Sequence, residues 1–137
     1  MPNLTLIGFD FGTRWIGTAV GQTITKTANP AKTFESKNNK PDWLGIEKLV
    51  KEYQPNILVI GLPLNAKGEE QVISKKARKF ARQLEGRFHI KTEMVDERLT
   101  TREVYIDTSD NHKSKQQIDA LSAMLITQSW IDNNDTT

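Results

Sequence analysis

Hydrophobic and polar positions follow a strand-like spacing first and a helical spacing later in the chain. The segments LTLIGFDF (4–11) and WIGTAVGQ (15–22) are apolar and rich in residues that favour β-structure, and ITKTANPAKTF (24–34) is a candidate third strand. The glycines of this region suit tight, closely packed hairpins: Gly12, Gly17 and Gly21. We therefore predict that the chain opens with three antiparallel strands.

Beyond these strands, helical spacing alternates with short apolar runs. The predicted elements are a helix over 42–54, a strand over 56–63, a helix over 69–85, a strand over 89–97, a helical turn over 100–106 and a last helix over 115–131. Pro41 suits the first turn of the first helix, and Gly86 is expected to end the second one. The run NILVIGLP is continuously apolar, which is typical of a buried central strand.

This order of elements predicts an α/β fold. Three antiparallel strands followed by helix, strand, helix, strand and helix give a mixed five-stranded sheet, and the crossover connections place helices on both faces. A chain of 137 residues is long enough for one core but not for two lobes. We expect a single domain over 1–137, with a C-terminal tail at about 132–137.

Composition excludes several classes of function. Hydrophobic residues make up 36% of the chain and charged residues 26%, and no apolar run approaches the ~20 residues that cross a bilayer. The N-terminus lacks the features of a secretory signal, so we expect neither secretion nor a membrane partner. The absence of cysteine excludes disulfides, thiolate catalysis and cysteine-rich zinc sites. The balance of 19 Lys+Arg against 17 Asp+Glu is too even to indicate nucleic-acid binding by itself.

A lone carboxylate, Asp10, lies in the apolar and small-residue stretch GFDFGTRWIGTAV (8–20), at the end of the first predicted strand. Asp often begins a hairpin turn. The carboxyl ends of strands are also where such sheets bind ligands, so Asp10 would be well placed to hold a cation, although a lone Asp-x-Gly is a weak signal. The local sequence leaves both interpretations open.

Two later strands also end in polar segments. The loop GLPLN leads from a strand into a helix, where backbone N–H groups and Asn65 are candidates to bind phosphate, although a plain connecting loop explains it equally well. In VDERLTT, the adjacent residues Asp96 and Glu97 face opposite sides if the strand continues that far. Only one of these two carboxylates can therefore join Asp10.

A further carboxylate lies on the last predicted helix, in KSKQQIDALSAMLI (113–126). Asp119 shares a helical stripe with Lys115 and the small residue Ala123, which is unusual for a solvated helix face. It would either form an i, i−4 salt bridge with Lys115 or belong to a site.

Together these carboxylates predict a metal-dependent site. Asp10, one of Asp96 and Glu97, and Asp119 come from different elements near one end of the sheet. Such carboxylates repel one another unless divalent cations neutralise them. Oxygen ligands without Cys or His favour Mg²⁺ or Mn²⁺. Two such ions about 3.5–4 Å apart can hydrolyse a phosphodiester bond.

Four motifs carry a resemblance to a known family: DFGTRWIGTAVG, VIGLPLNAKG, VDERLTT and K…DALSAMLI. In this order, from about Leu6 to Ile131, they resemble the YqgF (RuvX) family of bacterial nucleases. The resemblance implies a ribonuclease H-like fold, as in Holliday-junction resolvases. It also implies a cytoplasmic, divalent-metal-dependent endonuclease that matures the 5′ end of 16S rRNA from its precursor, with pre-ribosomal particles as partners.

The same resemblance assigns the site residues. The family's catalytic, metal-binding carboxylates fall on Asp10, Glu97 and Asp119, and Asp96 would support them from beside the ligands. The chain departs from the family pattern at Lys67, where an acidic residue is common, and in Ser122-Ala123, where paired alanines are usual. Neither departure removes a proposed ligand, but Lys67 would alter contacts with the substrate.

Basic residues are concentrated close to these motifs. The candidate nucleic-acid-binding residues are Asn65, Lys75, Lys76, Lys79, Arg82, Lys113 and Lys115. Such runs usually form solvated helix faces. Beside a site that cleaves phosphodiesters, we expect some of them to guide a nucleic-acid backbone.

Two alternatives to an rRNA nuclease stay open. A junction-resolving DNA nuclease uses the same chemistry, because two-metal catalysis acts on the phosphate of RNA and DNA alike. It would need two active sites and hence a dimer, and the sequence leaves the oligomeric state open. A non-catalytic RNA-binding module for ribosome assembly is the alternative from another class, but a binder gains nothing from three carboxylates directed at phosphates.

Overall fold

The structure, a computed structural model, describes residues 3–100 and 114–134. The strands of this part are β1 (Thr5–Phe11), β2 (Trp15–Gln22), β3 (Thr27–Pro30), β4 (Phe34–Glu35), β5 (Ile57–Leu62) and β6 (Lys91–Asp96). The helices are α1 (Trp43–Tyr53), α2 (Val72–Phe88) and α3 (Lys115–Asn133), and a 3₁₀ turn at Glu97–Leu99 follows β6. None of these helices is long and apolar enough to span a membrane. The helical turn predicted over 100–106 lies outside the described residues, except for Thr100.

The strands form one mixed sheet in the order β3-β2-β1-β5-β6, and β4 also pairs with β2. Strand β1 is antiparallel to β2 and parallel to β5, and β5 is parallel to β6. Helices α1 and α2 form the crossovers that lead into β5 and β6. The predicted α/β sheet, opened by antiparallel strands and completed by crossover units, is confirmed.

The predicted third strand is divided in two, so the sheet of the described residues has six strands rather than five. Strands β3 and β4 both pair antiparallel with β2. Before β3, Lys26 adopts a left-handed backbone conformation with φ 57°, and its N–H donates to the carbonyl of Thr23 at 3.2 Å, which makes a turn. Pro30 ends β3, since proline has no N–H to extend a ladder.

The second and third helices end later than predicted. Helix α2 begins at Val72, after the predicted start at 69, and continues through Gly86 to Phe88. His89 terminates it in a left-handed conformation with φ 55°. Gly86 is therefore an interior helix residue and not its end. Helix α3 continues to Asn133, two residues into the predicted tail.

The two faces of the sheet bury separate apolar cores. The core under α1 and α2 comprises Ile7, Phe9, Ile16, Phe34, Ile46, Val50, Leu58, Ile60, Phe80, Ala81 and Leu84. The core under α3 comprises Leu6, Ala28, Ile57, Val59, Val95, Ile126, Trp130 and Ile131. Successive residues of β1 and β5 alternate between the two cores, as the two-residue period of a strand requires. The prediction of helices on both faces is confirmed.

Helix α3 lies directly on β1 and β2 because the strand residues beneath it are glycines. A Cβ atom at Gly17 would overlap the carbonyl oxygen of Asp119, and one at Gly8 would overlap the hydroxyl of Thr127. At Gly21, a Cβ atom would lie 3.0 Å from side-chain atoms of Thr127 and Ile131. Glycine thus permits a closer approach of the helix backbone than any larger residue would. We call these three glycines the glycine seat of α3.

Candidate active site

A cavity of about 340 Å³ opens at the carboxyl end of β1. Its lining residues are Asp10, Phe11, Gly12, Thr13, Arg14, Trp15, Pro63, Ile73, Glu97, Lys115 and Asp119. The three carboxylates assigned from the sequence therefore line one cavity, although they belong to β1, the 3₁₀ turn and α3. The carboxyl ends of the parallel strands β1, β5 and β6 meet at this edge, which is where open α/β sheets bind ligands.

The glycine seat brings Asp10 and Asp119 to the same side of the sheet. Asp10 is paired with Gly17 in the antiparallel register of β1 and β2, so both residues face α3. The backbone of Asp119 lies against Gly17. Direct contact between helix and strand therefore sets the position of the helical carboxylate beside the half-buried Asp10.

Glu97 lies over the central strand β5. A Cβ atom at Gly61 would lie 2.5 Å from Oε1 of Glu97 and 2.5 Å from Cδ1 of Ile126. A glycine at this position therefore leaves the space that the carboxylate occupies. Val95 packs into the core under α3. Glu97 is two residues further on and faces the same side, as strand alternation would direct it.

Asp96 is held by its neighbour Arg98 and does not line the cavity. The Asp96 carboxylate accepts hydrogen bonds from the Arg98 backbone N–H at 2.9 Å and from Nε and Nη2 at 3.1 and 2.7 Å. The guanidinium hydrogen bonds lower the pKa of Asp96 below its ordinary value. Asp96 thereby caps the 3₁₀ turn that carries Glu97.

Asp119 is the most deeply buried of the three cavity carboxylates, with 4% of its surface exposed. Its Oδ1 accepts a hydrogen bond from Nζ of Lys115 at 2.6 Å. Its Oδ2 is buried and has no hydrogen-bond partner in the part of the chain that the structure describes. The salt bridge with Lys115 and the position in the cavity, two alternatives from the sequence, therefore occur together.

The cavity carboxylates have the chemistry of a site for a hard divalent cation. All three offer oxygen ligands, and the buried Oδ2 of Asp119 accepts no hydrogen bond from the residues that the structure describes. Within residues 3–100 and 114–134, no group of three His, Asp or Glu side chains could hold a metal ion as it stands. Lys115 instead supplies the positive charge beside Asp119. The residues fit a divalent cation by ligand type and by this unpartnered oxygen.

Asn65 organises its own loop. Its Oδ1 accepts hydrogen bonds from the backbone N–H groups of Lys67 and Glu69, both at 2.9 Å. Its amide donates to Oε1 of Glu69 at 3.2 Å. The buried hydroxyl of Ser74 ties the start of α2 to the same loop by donating to the carbonyl of Pro63. The loop contributes Pro63 to the cavity, whereas Asn65 does not line it.

Most of the predicted nucleic-acid-binding cations lie outside the cavity. Lys115 lines it, and Lys113 lies outside the described residues. The other predicted cations are exposed on α2: Lys75, Lys76, Lys79 and Arg82.

Arg14 lines the cavity although the sequence did not single it out. It forms a salt bridge with Glu35 at 3.5 Å, and its guanidinium carbon lies 5.3 Å from the centroid of the Trp15 ring. The available signal was its position in the turn that directly follows Asp10. Arg14 therefore adds a second cationic side chain to the lining of the cavity, besides Lys115.

Comparison with known proteins gives close relatives. The model of the family described as "RuvX: Holliday junction resolvase" matches residues 4–133. A protein of Haemophilus ducreyi named "Putative pre-16S rRNA nuclease" is 51% identical over 134 residues, which are 95% of this chain and 97% of that protein. A Proteus mirabilis protein of the same name is 46% identical over 136 residues, 96% of this chain and 98% of that protein.

Solved structures with a similar fold are distant in sequence. T. thermophilus RuvC in complex with a Holliday junction substrate has a TM-score of 0.57 at 10% identity and covers 96% of both chains. The fowlpox virus resolvase in complex with Holliday junction DNA has a TM-score of 0.59 at 12% identity, over 95% of this chain and 98% of that one. These structures confirm the predicted ribonuclease H-like fold. With the family match over almost the whole sequence, it follows that the chain belongs to the RuvX (YqgF) family.

Proposed function

We propose that the protein is a divalent-metal-dependent endonuclease that hydrolyses phosphodiester bonds. The observation that carries this proposal is the single cavity lined by Asp10, Glu97 and Asp119, which come from three separate elements. In a protein that only bound nucleic acid, three carboxylates facing the phosphates would weaken binding through repulsion between like charges. A metal-dependent nuclease needs such carboxylates, because they recruit the cations that neutralise the reacting phosphate.

Asp10, Glu97 and Asp119 would hold the Mg²⁺ or Mn²⁺ ions, and Asp96 would fix the turn that carries Glu97. The ions, when bound, supply an activated water and stabilise the leaving oxygen. The protein contributes the positions of these ligands, through the glycine seat and through the space above Gly61. Lys115 and Arg14 add positive charge at the cavity, where they would attract the substrate phosphate.

We infer that the substrate is precursor 16S rRNA, cleaved during maturation of its 5′ end. This inference is supported by the names of relatives that are 46–51% identical over nearly the full chain. The partners would then be pre-ribosomal particles. Because ribosome assembly takes place in the cytoplasm, we place the protein there, as a single domain.

A Holliday-junction resolvase is the second candidate function. The description of the matching family and the structural likeness to two resolvases favour it. The relatives named after pre-16S rRNA are far closer in sequence than these resolvases, so we rank rRNA cleavage first.

The decisive experiment offers the purified protein three substrates: precursor 16S rRNA, a four-way DNA junction and single strands. Each substrate is incubated with Mg²⁺, with Mn²⁺ or with EDTA. We expect cleavage of the precursor rRNA with either metal and none in EDTA. Paired cuts in the junction with intact rRNA would instead support the resolvase. Absence of cleavage in every combination would contradict both enzymatic functions and leave the RNA-binding module.

A further inference from the structure

A second groove adjoins the active-site cavity. It has a volume of about 220 Å³ and shares two lining residues with the cavity, Phe11 and Thr13 at the end of β1 and in the turn that follows. The two depressions are therefore neighbours across the β1–β2 turn. The groove therefore extends the cavity on the side of this turn.

Helix α2 connects the two depressions along one stripe. Ile73 lines the active-site cavity, and Lys76, Lys79 and Gln83 line the groove. Residues three or four apart lie on the same side of a helix. At 1.5 Å per residue, Lys76 and Lys79 lie about 4.5 and 9 Å beyond Ile73 along the helix axis. Stacked nucleotides rise about 3.4 Å each, so this stretch matches one to three nucleotides.

The groove carries positive charge and no negative charge. All of its lining residues are neutral or cationic. Neither Lys76 nor Lys79 forms a salt bridge with any residue that the structure describes, whereas their neighbour Arg78 is paired with Glu70 at 2.8 Å. The two ammonium groups are therefore available to an external anion.

The opposite wall of the groove is a turn with two more lysines. Ser36, Asn39 and Pro41 line this wall. Lys37 and Lys40, which are exposed in the same turn, exchange two backbone hydrogen bonds of 3.0 Å that fix its shape. Ser and Asn side chains are frequent donors to phosphate and sugar oxygens. The wall thus offers hydrogen-bond donors, and the turn that forms it bears two exposed lysines that do not line the groove.

We propose that this groove binds the backbone of the substrate strand, with Lys76 and Lys79 contacting phosphates one to three nucleotides from the scissile phosphate. The proposal rests on the proposed nuclease function, because the strand is defined by its passage through the active-site cavity. It divides the basic residues of α2 by role, since Lys75 and Arg82 lie on the same helix but do not line the groove.

The test measures binding of single-stranded RNA by fluorescence anisotropy in EDTA, between 50 and 200 mM salt. The groove variant carries Lys76→Gln and Lys79→Gln. Loss of two phosphate contacts on a single strand is expected to lower the log–log salt slope by about 1.4, so that wild-type affinity falls about 7-fold more than variant affinity over this salt range. The matched control carries Lys48→Gln and Lys51→Gln, an i, i+3 pair on α1 that lines neither depression. It is expected to keep the wild-type slope.

A third variant, Lys75→Gln with Arg82→Gln, separates a groove from a uniformly basic helix. We expect it to lower the slope by less than the groove variant does. Equal slopes for the groove variant and the α1 control, or equal losses for the two α2 variants, would overturn the proposal. Substrates in which a neutral methylphosphonate replaces one phosphate locate the contact. At one of the three nucleotides next to the scissile phosphate, this replacement should weaken binding by the wild type and leave binding by the groove variant unchanged.

Cleavage assays on the same variants distinguish the two proposals. The groove variant should raise KM and leave kcat close to that of the wild type, because the lysines contact the strand away from the reacting phosphate. If the wild-type protein cleaves, but the groove variant has the same KM and the same salt slope as the α1 control, the groove proposal alone is refuted. A wild-type protein that neither binds nor cleaves nucleic acid refutes the nuclease and the groove together.

Discussion

Gly17→Ala should damage both the fold and the active site, because Gly17 of β2 lies directly against the backbone of α3 at Asp119. A Cβ atom there would overlap the carbonyl oxygen of Asp119 and would lie 2.9 Å from the backbone nitrogen of Ala120. All of these obstructing atoms are backbone atoms of the helix. No side-chain rotation can relieve the overlap, so the helix itself must move away from the sheet.

The structure sets the size of the effect. Overpacking costs about 1–3 kcal/mol when side chains can adjust, and the rigid helix backbone places Gly17→Ala at about 3 kcal/mol, the upper end. For a domain of this size, about 4 °C per kcal/mol gives a decrease in Tm of about 12 °C. A shift of α3 by about 1 Å would misplace the carboxylate of Asp119 and reduce cleavage about 100-fold.

Thermal unfolding followed by circular dichroism measures the first effect, and rRNA cleavage well below the variant's Tm measures the second. Gly86→Ala is the matched control, because a Cβ atom at this interior position of α2 meets nothing within 4 Å. Alanine at Gly86 should raise stability by about 0.5–1 kcal/mol and leave cleavage unchanged. A Gly17→Ala protein with wild-type Tm and wild-type cleavage would refute the close contact of α3 with the sheet.

Two further predictions concern charged pairs near the site. Lys115→Met removes the cation beside the buried Asp119 and should lower the free energy of unfolding without metal by about 1–3 kcal/mol. Millimolar Mg²⁺ should restore much of this loss, and an unchanged Tm in EDTA would contradict the pairing. Asp96→Asn should lower Tm at neutral pH, because the hydrogen bonds from Arg98 lower the pKa of the Asp96 carboxyl in the folded protein. The stabilisation by ionised Asp96 is complete above the unfolded pKa of about 3.9 and is lost as the pH falls through the pKa of the folded protein. Thermal unfolding between neutral and acidic pH checks this, and a Tm difference that persists in acid would contradict it.

Local patterns were sufficient to predict most of the fold. Strands β1, β2 and β5 are formed by apolar runs whose residues are mostly buried. The length and the boundaries of these runs were therefore visible in the sequence. The predicted end of α2 was wrong. Gly86 was interpreted as a helix stop, but the helix continues to Phe88 and is capped by His89. The backbone of His89 takes the left-handed conformation that glycine usually supplies. Nothing in its residue type indicated this.

The close packing of α3 could not be predicted from the sequence. Gly17 and Gly21 were interpreted as residues of tight hairpins, but they form part of the seat on which α3 lies. Their partners are more than 100 positions away in the chain. No local period reports such a contact. Asp10 at a strand end and Asp119 beside the small Ala123 were visible as candidates in the sequence, whereas the choice of Glu97 over Asp96 depended on family resemblance.

We propose that Asp10, Glu97 and Asp119 jointly hold the divalent cations with which the protein cleaves nucleic acid. The most direct measurement is the cleavage rate as a function of Mn²⁺ concentration for Asp10→Asn, Glu97→Gln and Asp119→Asn. Asp132→Asn is the control, because this exposed carboxylate lies on α3 but does not line the cavity. We predict that Asp10→Asn and Glu97→Gln lose cleavage, that Asp119→Asn recovers in part at high Mn²⁺, and that Asp132→Asn matches the wild type. Wild-type rates at every Mn²⁺ concentration for the three cavity variants would contradict the claim.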